Sequence, residues 1–264
     1  MRIIQILACA LTIVSNAHAE IISANSMDDI QKIIEESEEK NLLVVFDVDM
    51  TITQPNHPAA FYPSLITYKE IYKNIVDALT PEQKDLMSTL TLDQPQILVE
   101  ENTPSVIANL QAKYKTIAFT AVLATQEAVD RRIKTLNILG IKFAQDIGDM
   151  NFSDIKSHHG QHPLFRQGIL FGNGEVHGKG TIFCAFLKRL QSLPKMVVVI
   201  DDRKKHLEDI QKALSEHKID LRFLGIEYKG AFARSGNITK EEFKDFWMNL
   251  ASRAKDQSYS GASK

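Results

Sequence analysis

The chain has 264 residues, of which 44% are hydrophobic and 24% are charged, and these proportions exclude a collagen, a disordered chain and a polytopic membrane protein. The 31 basic and 33 acidic residues leave a formal charge of −2, so no general positive field exists to bind a nucleic acid or an anionic membrane. Any anionic ligand must therefore be bound by a local group of side chains.

The N-terminus has the pattern of a secretory signal peptide. Arg2 precedes an apolar stretch at 3–14, and Ala17-His18-Ala19 has the small-x-small form of a signal-peptidase site. The apolar stretch is about a dozen residues, whereas a membrane-spanning helix needs about 20. We therefore predict that residues 1–19 are a signal peptide, and that the protein is exported, either periplasmic or secreted, with no membrane attachment after cleavage. Cys184 then remains as a single cysteine, and we expect a buried thiol in a helix.

Uninterrupted apolar runs alternate with helical patterns along the rest of the chain, which predicts an α/β fold with a parallel sheet covered by helices on both faces. In chain order, the predicted elements are a helix at 26–40, a strand at 42–46, helices at 64–79, 81–90 and 104–114, a strand at 116–119, a helix at 126–139, a strand at 168–171, a helix at 181–191, a strand at 196–200, a helix at 205–217, a strand at 221–226 and a helix at 240–254.

Between the first two predicted strands lie about 50 residues more than a simple crossover connection requires. This segment, at 52–102, is predicted to be an inserted helical cap. Thr80-Pro81-Glu82 has the N-cap, N1 proline and first-turn acid that begin a helix. The core domain then comprises 20–51 and 103–256, and the polar residues 257–264 are predicted to be a flexible tail.

Carboxylates follow two of the predicted strands. Asp47 and Asp49 come directly after the first strand, and Asp201 and Asp202 end the strand at 196–200. Ligands of open α/β sheets bind at the carboxyl ends of the strands, so these acids are expected to converge there. Acids that converge repel one another unless a cation lies among them, and oxygen ligands alone favour Mg²⁺.

Two further side chains are expected at the same edge. Thr120 ends the second strand, and Lys179 stands at the start of a predicted helix. A hydroxyl, an ammonium group and a helix N-terminus suit a phosphoryl group better than a neutral ligand. The sequence therefore predicts an anionic substrate.

The ordered set Asp47-x-Asp49-x-Thr51, Thr120, Lys179 and Asp201-Asp202 resembles the four motifs of the haloacid dehalogenase superfamily, and the resemblance covers most of residues 42–226. It implies a Rossmann-like core, a small helical cap and Mg²⁺-dependent phosphoryl transfer. By this resemblance Asp47 is the nucleophile and a metal ligand, and Asp49 is the general acid and base whose backbone carbonyl also binds the metal. Thr120 and Lys179 bind phosphoryl oxygens, and Asp202, with Asp201 beside it, completes the metal site.

The chain departs from the motif pattern at two places. His206 and Leu207 stand where a further acid is common, and no arginine follows Thr120. The groups around the metal site and the recognition of the substrate are therefore expected to differ from those of related exported members.

Several aromatic and histidine residues have more than one interpretation. His158, His159 and His162 have a spacing that matches no common closed zinc site, so a polar surface loop is preferred over metal binding. His57 and Tyr62 lie near the start of the cap, where ordinary cap packing is preferred over contact with a leaving group. The helical spacing of Phe243, Phe246 and Trp247 predicts a core-facing stripe.

The preferred function is an exported Mg²⁺-dependent phosphatase that hydrolyses a small phosphorylated substrate through an aspartyl-phosphate. Two alternatives are a phosphotransferase and a secreted interaction protein that keeps the scaffold with little catalysis. The presence of all four motifs argues against the interaction protein.

Overall fold

A computed structural model of the protein describes residues 19–143, 146–174 and 176–261, so the predicted signal peptide lies outside the described residues except for Ala19. The strands are β1 (Ala19–Ala24), β2 (Leu42–Asp47), β3 (Thr53–Pro55), β4 (Gln96–Leu98), β5 (Lys115–Thr120), β6 (Met150–Asn151), β7 (Leu164–Arg166), β8 (Ile169–Phe171), β9 (Met196–Asp201) and β10 (Arg222–Tyr228). The helices are α1 (Met27–Glu36), α2 (Tyr62–Thr67), α3 (Lys69–Asp77), α4 (Pro81–Leu92), α5 (Thr103–Gln111), α6 (Gln126–Ile138), α7 (Gly178–Leu187), α8 (Lys204–Glu216) and α9 (Lys240–Gly261).

Eight strands form one mostly parallel sheet in the order β1-β10-β9-β2-β5-β8-β7-β6. The six strands from β1 to β8 in this order are parallel, and β7 and β6 extend the sheet with antiparallel pairings. Helices flank the sheet, so the predicted α/β fold class with a Rossmann-like core is confirmed.

The central strands are buried on both faces, as their apolar sequences predict. Val44 and Phe46 of β2 belong to one hydrophobic cluster, which includes Ile30 of α1. Val45 belongs to a second cluster on the opposite face, which includes Phe183 of α7. Successive side chains of a strand point to opposite faces, so each face of the sheet packs against its own layer of helices.

The segment between β2 and α5 contains two short strands, β3 and β4, which pair antiparallel. The helices α2, α3 and α4 lie between these two strands in the chain. We call residues 56–95, between these two strands, the cap. The predicted single helix at 64–79 is instead two helices that meet at Tyr68. The backbone of Tyr68 leaves the helical conformation, with φ −110° and ψ 27°. Its hydroxyl donates to the backbone carbonyl of Ile238, and its ring packs against Phe243.

Helix α9 packs against the cap. Phe243 and Trp247 are buried together with Leu79, Met87 and other cap residues in a third hydrophobic cluster. Two residues of the predicted apolar stripe, Phe243 and Trp247, are therefore buried, and Phe246 is half-buried. The partner of the stripe is the cap rather than the central sheet. The helix continues past its predicted end at 254 to Gly261, through residues that the sequence assigns to a flexible tail.

The five predicted strands are confirmed, but the sequence analysis does not identify β1, β3, β4, β6 and β7. These strands have two to six residues and no long apolar run, so hydrophobic patterning does not distinguish them from loops. The predicted burial of Cys184 in a helix is also confirmed, and burial raises the pKa of its thiol to about 11. Across the described ranges, no helix is both long and apolar enough to cross a membrane.

Candidate active site

A tight turn after β2 positions the first two acids. Asp47 is the last residue of β2 and is buried. Met50 has a φ of +63°, and its backbone N–H donates to the carbonyl of Thr53 at 2.7 Å. The N–H of Thr53 in turn donates to the carbonyl of Val48 at 2.9 Å. These bonds fold the chain back on itself, so Asp49 is presented at the carboxyl end of the sheet.

The second pair of acids reaches the same edge from β9, the neighbour of β2. The carboxylates of Asp47, Asp201 and Asp202 each offer an oxygen atom within 4.8 Å of the other two. The chain passes from β2 to β5 on one side and returns to β9 on the other, so this edge is the topological switch point at which open α/β sheets bind ligands. We call Asp47, Asp49, Asp201 and Asp202 the edge carboxylates.

Lys179 lies between two of these carboxylates. Its Nζ is 2.5 Å from Oδ1 of Asp47 and 2.6 Å from Oδ2 of Asp201, and all three side chains are buried. The same ammonium group lies over the ring of Phe119, 5.0 Å from its centre. Two short charge-assisted hydrogen bonds therefore hold the cation against the predicted nucleophile.

The glycine that follows Lys179 allows α7 to approach α8. A Cβ at Gly180 would lie 2.4 Å from the backbone oxygen of Asp209, which is too close for any other residue. The backbone N–H of Gly180 also donates to the Asp209 carboxylate at 2.7 Å. The Gly-Lys-Gly sequence therefore allows the first turn of α7, and with it Lys179, to pack tightly at the sheet edge.

Thr120 and Arg132 contact the second edge carboxylate. The hydroxyl of Thr120 donates to Oδ2 of Asp49 at 3.0 Å and accepts the backbone N–H of Val122 at 3.2 Å. Arg132 donates to Oδ1 of Asp49 at 2.6 Å and is 5% exposed. The Asp49 carboxylate is therefore oriented by one contact at each of its oxygens.

Arg132 is not among the predicted site residues, although the sequence contains a signal for it. Arg132 lies three residues after Val129 and four before Leu136, on the buried face of α6. A basic residue at such a position must have a buried partner, because an unpaired buried charge is costly. No arginine follows Thr120 in the chain, but Arg132 of α6 brings a guanidinium group to this site.

Asp201 and Asp202 have different surroundings. Asp201 is fully buried, and its carboxylate accepts hydrogen bonds from Lys179 and from the backbone N–H of Arg203. Nδ1 of His206 lies 3.0 Å from Oδ1 of Asp201, so the histidine at the position of the missing acid contacts this carboxylate. Asp202 lines the open crevice beside the site.

Tyr62 connects the cap to the site. Its hydroxyl donates to Oδ2 of Asp202, and its ring stacks on Phe232 with 4.5 Å between ring centres. Burial and the negative charge of Asp202 raise the pKa of Tyr62, so the phenol stays protonated and acts as a donor. Tyr62 therefore contacts the site, and its ring packs against Phe232 and the first hydrophobic cluster rather than within the cap.

Burial and neighbouring charges perturb the pKa values of Asp47, Asp201 and Asp202. Burial raises the pKa of Asp47 well above its usual value, with the charges of its acidic neighbours adding to the effect. Burial and the charge of Asp201 raise the pKa of Asp202 to about 6. Burial acts in the same direction on Asp201, but Lys179 and His206 outweigh it and lower its pKa to about 2. Asp201 is thus the counter-ion of Lys179, whereas Asp47 and Asp202 lack full compensation.

The charges at this edge fit a divalent cation. Within the described parts of the chain, Lys179 and Arg132 bring two permanent positive charges into contact with the four edge carboxylates. Asp202 itself accepts a hydrogen bond from a neutral group, the phenol of Tyr62. The edge carboxylates offer oxygen atoms as metal ligands, and oxygen is the ligand type that Mg²⁺ prefers.

A crevice of about 850 Å³ opens beside the edge carboxylates. Asp49 and Asp202 lie in its core wall, and Leu86 and Thr89 of α4 lie in its cap wall. A pocket of this size suits a small organic molecule. The crevice therefore joins the charged edge of the sheet to a partly apolar surface of the cap.

His57 lies away from this crevice. Its ring stacks on Phe246 with 4.0 Å between ring centres, and its Nδ1 accepts the backbone N–H of Ala59 at 3.2 Å. The same part of the cap is bound by Trp247, whose indole N–H donates to the carbonyl of Ala59. His57 thus has the packing role that the sequence analysis prefers.

Comparison with known proteins places the chain in a family. A family model described as "Protein of unknown function (DUF2608)" matches residues 23–255, so the chain belongs to this family. The chain is 26% identical over 238 residues to an uncharacterised protein of Rickettsia prowazekii (strain Madrid E), covering 87% of this chain and 84% of the relative. It is 24% identical over 255 residues to an uncharacterised protein of Rickettsia bellii (strain RML369-C), covering 86% and 83%.

Among solved structures, similarity is found to the HAD domain of the effector protein Lem4 from Legionella pneumophila and to an inactive mutant of that domain. Each comparison has 14% sequence identity and a TM-score of 0.37 and covers 82% of this chain. The matched regions cover 99% of the domain and 97% of the inactive mutant.

Proposed function

We propose that the protein is an exported, Mg²⁺-dependent phosphatase that hydrolyses a phosphomonoester through an aspartyl-phosphate on Asp47. The observation that supports this function best is the position of Lys179 between Asp47 and Asp201, with Asp202 beside them at the crevice. This arrangement supplies a nucleophile, a cation for phosphoryl oxygens and oxygen ligands for a metal. The motif resemblance to the haloacid dehalogenase superfamily points to the same reaction.

Asp47 and Asp202 are proposed as the main side-chain ligands of Mg²⁺, together with the backbone carbonyl of Asp49. When bound, the ion would offset the charge repulsion between the attacking carboxylate and the phosphate dianion. Asp201 is proposed to lie behind the ligands, because Lys179, His206 and the N–H of Arg203 already contact its carboxylate.

Asp47 is proposed to attack phosphorus, and Lys179 to stabilise the charge on the transferring oxygens. Electrostatic stabilisation is the dominant contribution to phosphoryl transfer, so an ammonium group already fixed at the nucleophile is well placed. The substrate oxygens would take the place of part of the present contact between Lys179 and Asp47. The contact with Asp201 keeps the ammonium group in position during this exchange.

Asp49 is proposed to transfer the protons of both half-reactions. It gives a proton to the leaving alkoxide when the aspartyl-phosphate forms, and it takes a proton from the water that hydrolyses this intermediate. The hydroxyl of Thr120 and the guanidinium of Arg132 orient its carboxyl group for this purpose. In this proposal Thr120 also contacts the phosphoryl group, next to its bond with Asp49.

The test is Mg²⁺-dependent release of phosphate from an aryl phosphate by the purified protein. Removal of the metal with EDTA should abolish turnover, and Asp47→Asn should lower kcat by at least about 1,000-fold because the nucleophile is lost. The circular dichroism spectrum should not change.

Asp77→Asn, at an exposed aspartate of the cap, serves as the matched control and should retain full activity. Undiminished turnover by Asp47→Asn would refute the assigned nucleophile. Failure of the wild type to release phosphate from any of a panel of phosphomonoesters would favour the interaction protein. A new phosphate ester formed with an added alcohol would identify a phosphotransferase.

A further inference from the structure

Two imidazoles and a carboxylate meet at the mouth of the crevice, away from the edge carboxylates. His158 and His159 lie in the loop between β6 and β7 of the core domain, and Asp85 lies on α4 of the cap. Nε2 of His159 is 3.4 Å and Nε2 of His158 is 3.7 Å from Oδ2 of Asp85. All three ligand atoms lie within 4.8 Å of one another. The sequence analysis considers the histidines without Asp85, which is more than 70 residues away in the chain.

We propose that Asp85, His158 and His159 bind a zinc ion that joins the cap to the core. Zinc binds imidazole nitrogen at about 2.0–2.1 Å and carboxylate oxygen at about 2.0–2.2 Å in tetrahedral geometry, which sets neighbouring ligand atoms about 3.4 Å apart. The two measured separations are close to this value. The nitrogen ligands also distinguish this site from the oxygen-only site at the sheet edge, which favours Mg²⁺.

Backbone hydrogen bonds fix the turn that carries the two histidines. His158 and Gln161 form two backbone hydrogen bonds with each other, at 2.9 and 3.0 Å, across a turn in which His159 and Gly160 have φ values of +48° and +73°. Positive φ at both central residues is the geometry of a type I′ turn. The amide of the fully buried Asn173 donates to the carbonyl of Gln161 at 2.7 Å and so ties this turn to the core.

The histidines also have the space and access that a metal site requires. A Cβ at Gly174 would lie 3.2 Å from Cδ2 of His158, so the glycine leaves room for the imidazole ring. All three proposed ligands line the same crevice as Asp47 and Asp202. A water molecule or an oxygen of the substrate can therefore occupy the fourth position, as in zinc sites with three protein ligands.

The proposed zinc would restrict movement of the cap over the crevice. Asp85 belongs to the cap and the two histidines belong to the loop between β6 and β7, so an ion shared by these residues would link the cap to that loop. The inference does not depend on phosphatase activity, because zinc affinity and movement of α4 are measured without turnover. A protein that binds zinc and releases no phosphate would retain this site and lose the proposed function.

The experiment is a titration with Zn²⁺ in competition with a chromophoric zinc chelator. It is performed on the purified protein carrying Asp202→Asn, because this substitution removes one ligand from the edge carboxylates, which also bind cations. We expect one zinc ion per chain. A further Asp85→Ala or His159→Ala substitution should weaken binding by at least about 100-fold, since each removes a ligand.

His162→Ala is the matched control, because His162 lies in the same loop but its Nδ1 is 2.7 Å from the carbonyl of Ile155. This variant should keep the affinity for zinc. A second measurement uses no substitution at the site: addition of Zn²⁺ should slow hydrogen exchange in both α4 and the loop at 157–162. The proposal is overturned if no zinc binds, if the Asp85 and His159 variants bind it as tightly as their parent, or if exchange slows only at the sheet edge.

Discussion

The sheet edge and the cap face each other across one crevice, but they are built differently. At the edge, Asp47, Lys179 and Asp201 are buried and joined by hydrogen bonds of 2.5–2.6 Å. In the cap, none of the residues of α3, all of which are described, is fully buried, and α4 buries only Gln83, Met87 and Leu90. In the proposed function, the buried and charged edge carries out the reaction, whereas the less tightly packed surface of the cap selects the substrate.

This difference follows from how closely the side chains of the two regions are packed. A side chain at the end of a buried strand is surrounded by closely packed neighbours, so it has little freedom to change its position. A cap side chain that faces the crevice has neighbours on one side only. Substitutions at the edge should therefore alter both stability and catalysis, whereas substitutions on the crevice face of the cap should alter substrate binding alone.

The largest effect is expected for Lys179→Met. This substitution leaves Asp47 and Asp201 buried without their shared cation, and breaking a buried ion pair costs about 3–5 kcal/mol. The free energy of unfolding, measured by urea denaturation, should fall by about this amount. Phosphate release should fall at least about 100-fold, because the substitution removes the ammonium group that is proposed to stabilise the transferring phosphoryl oxygens.

Lys188→Met, at an exposed lysine just after the same helix, is the control and should change neither quantity. Equal stability of the Lys179 and Lys188 variants would show that the edge is not held by this ion pair, and the contrast with the cap would then fail.

A smaller effect is expected from pH. The pKa of Asp202 is raised to about 6 by burial and by the charge of Asp201, so protons compete with a metal ion for this carboxylate below that pH. The affinity for Mg²⁺, measured by isothermal titration calorimetry, should fall about fivefold between pH 6 and pH 5, because the fraction of ionised Asp202 falls by about that factor. A constant affinity across this interval would exclude Asp202 as a metal ligand.

The same shift fixes the sign of a stability effect in the metal-free protein. The folded state takes up a proton at Asp202 near pH 6, whereas the unfolded chain does so near pH 3.9. Between these values the folded state binds more protons, so the contribution of Asp202 to stability decreases as pH rises through this window. In EDTA, Asp202→Asn should therefore raise the free energy of unfolding at pH 7, by at most about 3 kcal/mol, and should change it little at pH 4.

The smallest effect is expected in the cap. Leu86→Ala removes apolar surface from the wall of the crevice and should raise KM for an aryl phosphate by roughly tenfold or less, with kcat retained. Leu193→Ala, at an exposed leucine of the core, is the matched control and should leave KM unchanged. A loss of kcat without a change in KM would show that the cap participates in the chemical step.

Much of the core could be predicted from the sequence because its signals are local. The apolar run of β2 and the acids that follow it are adjacent in the chain, and so are the strand and acids of β9. Parallel strands carry such acids to one edge, which is why the proximity of Asp47 to Asp202 was predictable. The short strands were not predictable from their own patterns. Strand β1, for example, is a strand because it pairs with β10, which lies about 200 residues away in the chain.

The site contacts that were missed come from residues far apart in the chain. Arg132 reaches Asp49 from α6, and Tyr62 reaches Asp202 from the cap. Asp85 meets His158 only because α4 folds over the core loop. The position of Arg132 on the apolar face of α6 indicates that it has a buried partner, but not which one. The partners of all three residues are known only from the packed structure.

By itself, the sequence determined the α/β class, the buried central strands and the set of acids at their ends. Hydrophobic periodicity and strand direction are properties of neighbouring residues, which is the physical reason for this success. Only the tertiary structure decided that α9 supports the cap, that Asp201 holds Lys179 while Asp202 faces the crevice, and that a carboxylate of the cap joins two histidines of the core. Those arrangements depend on packing between segments that are far apart in the chain, and a local sequence pattern does not show which segments will pack together.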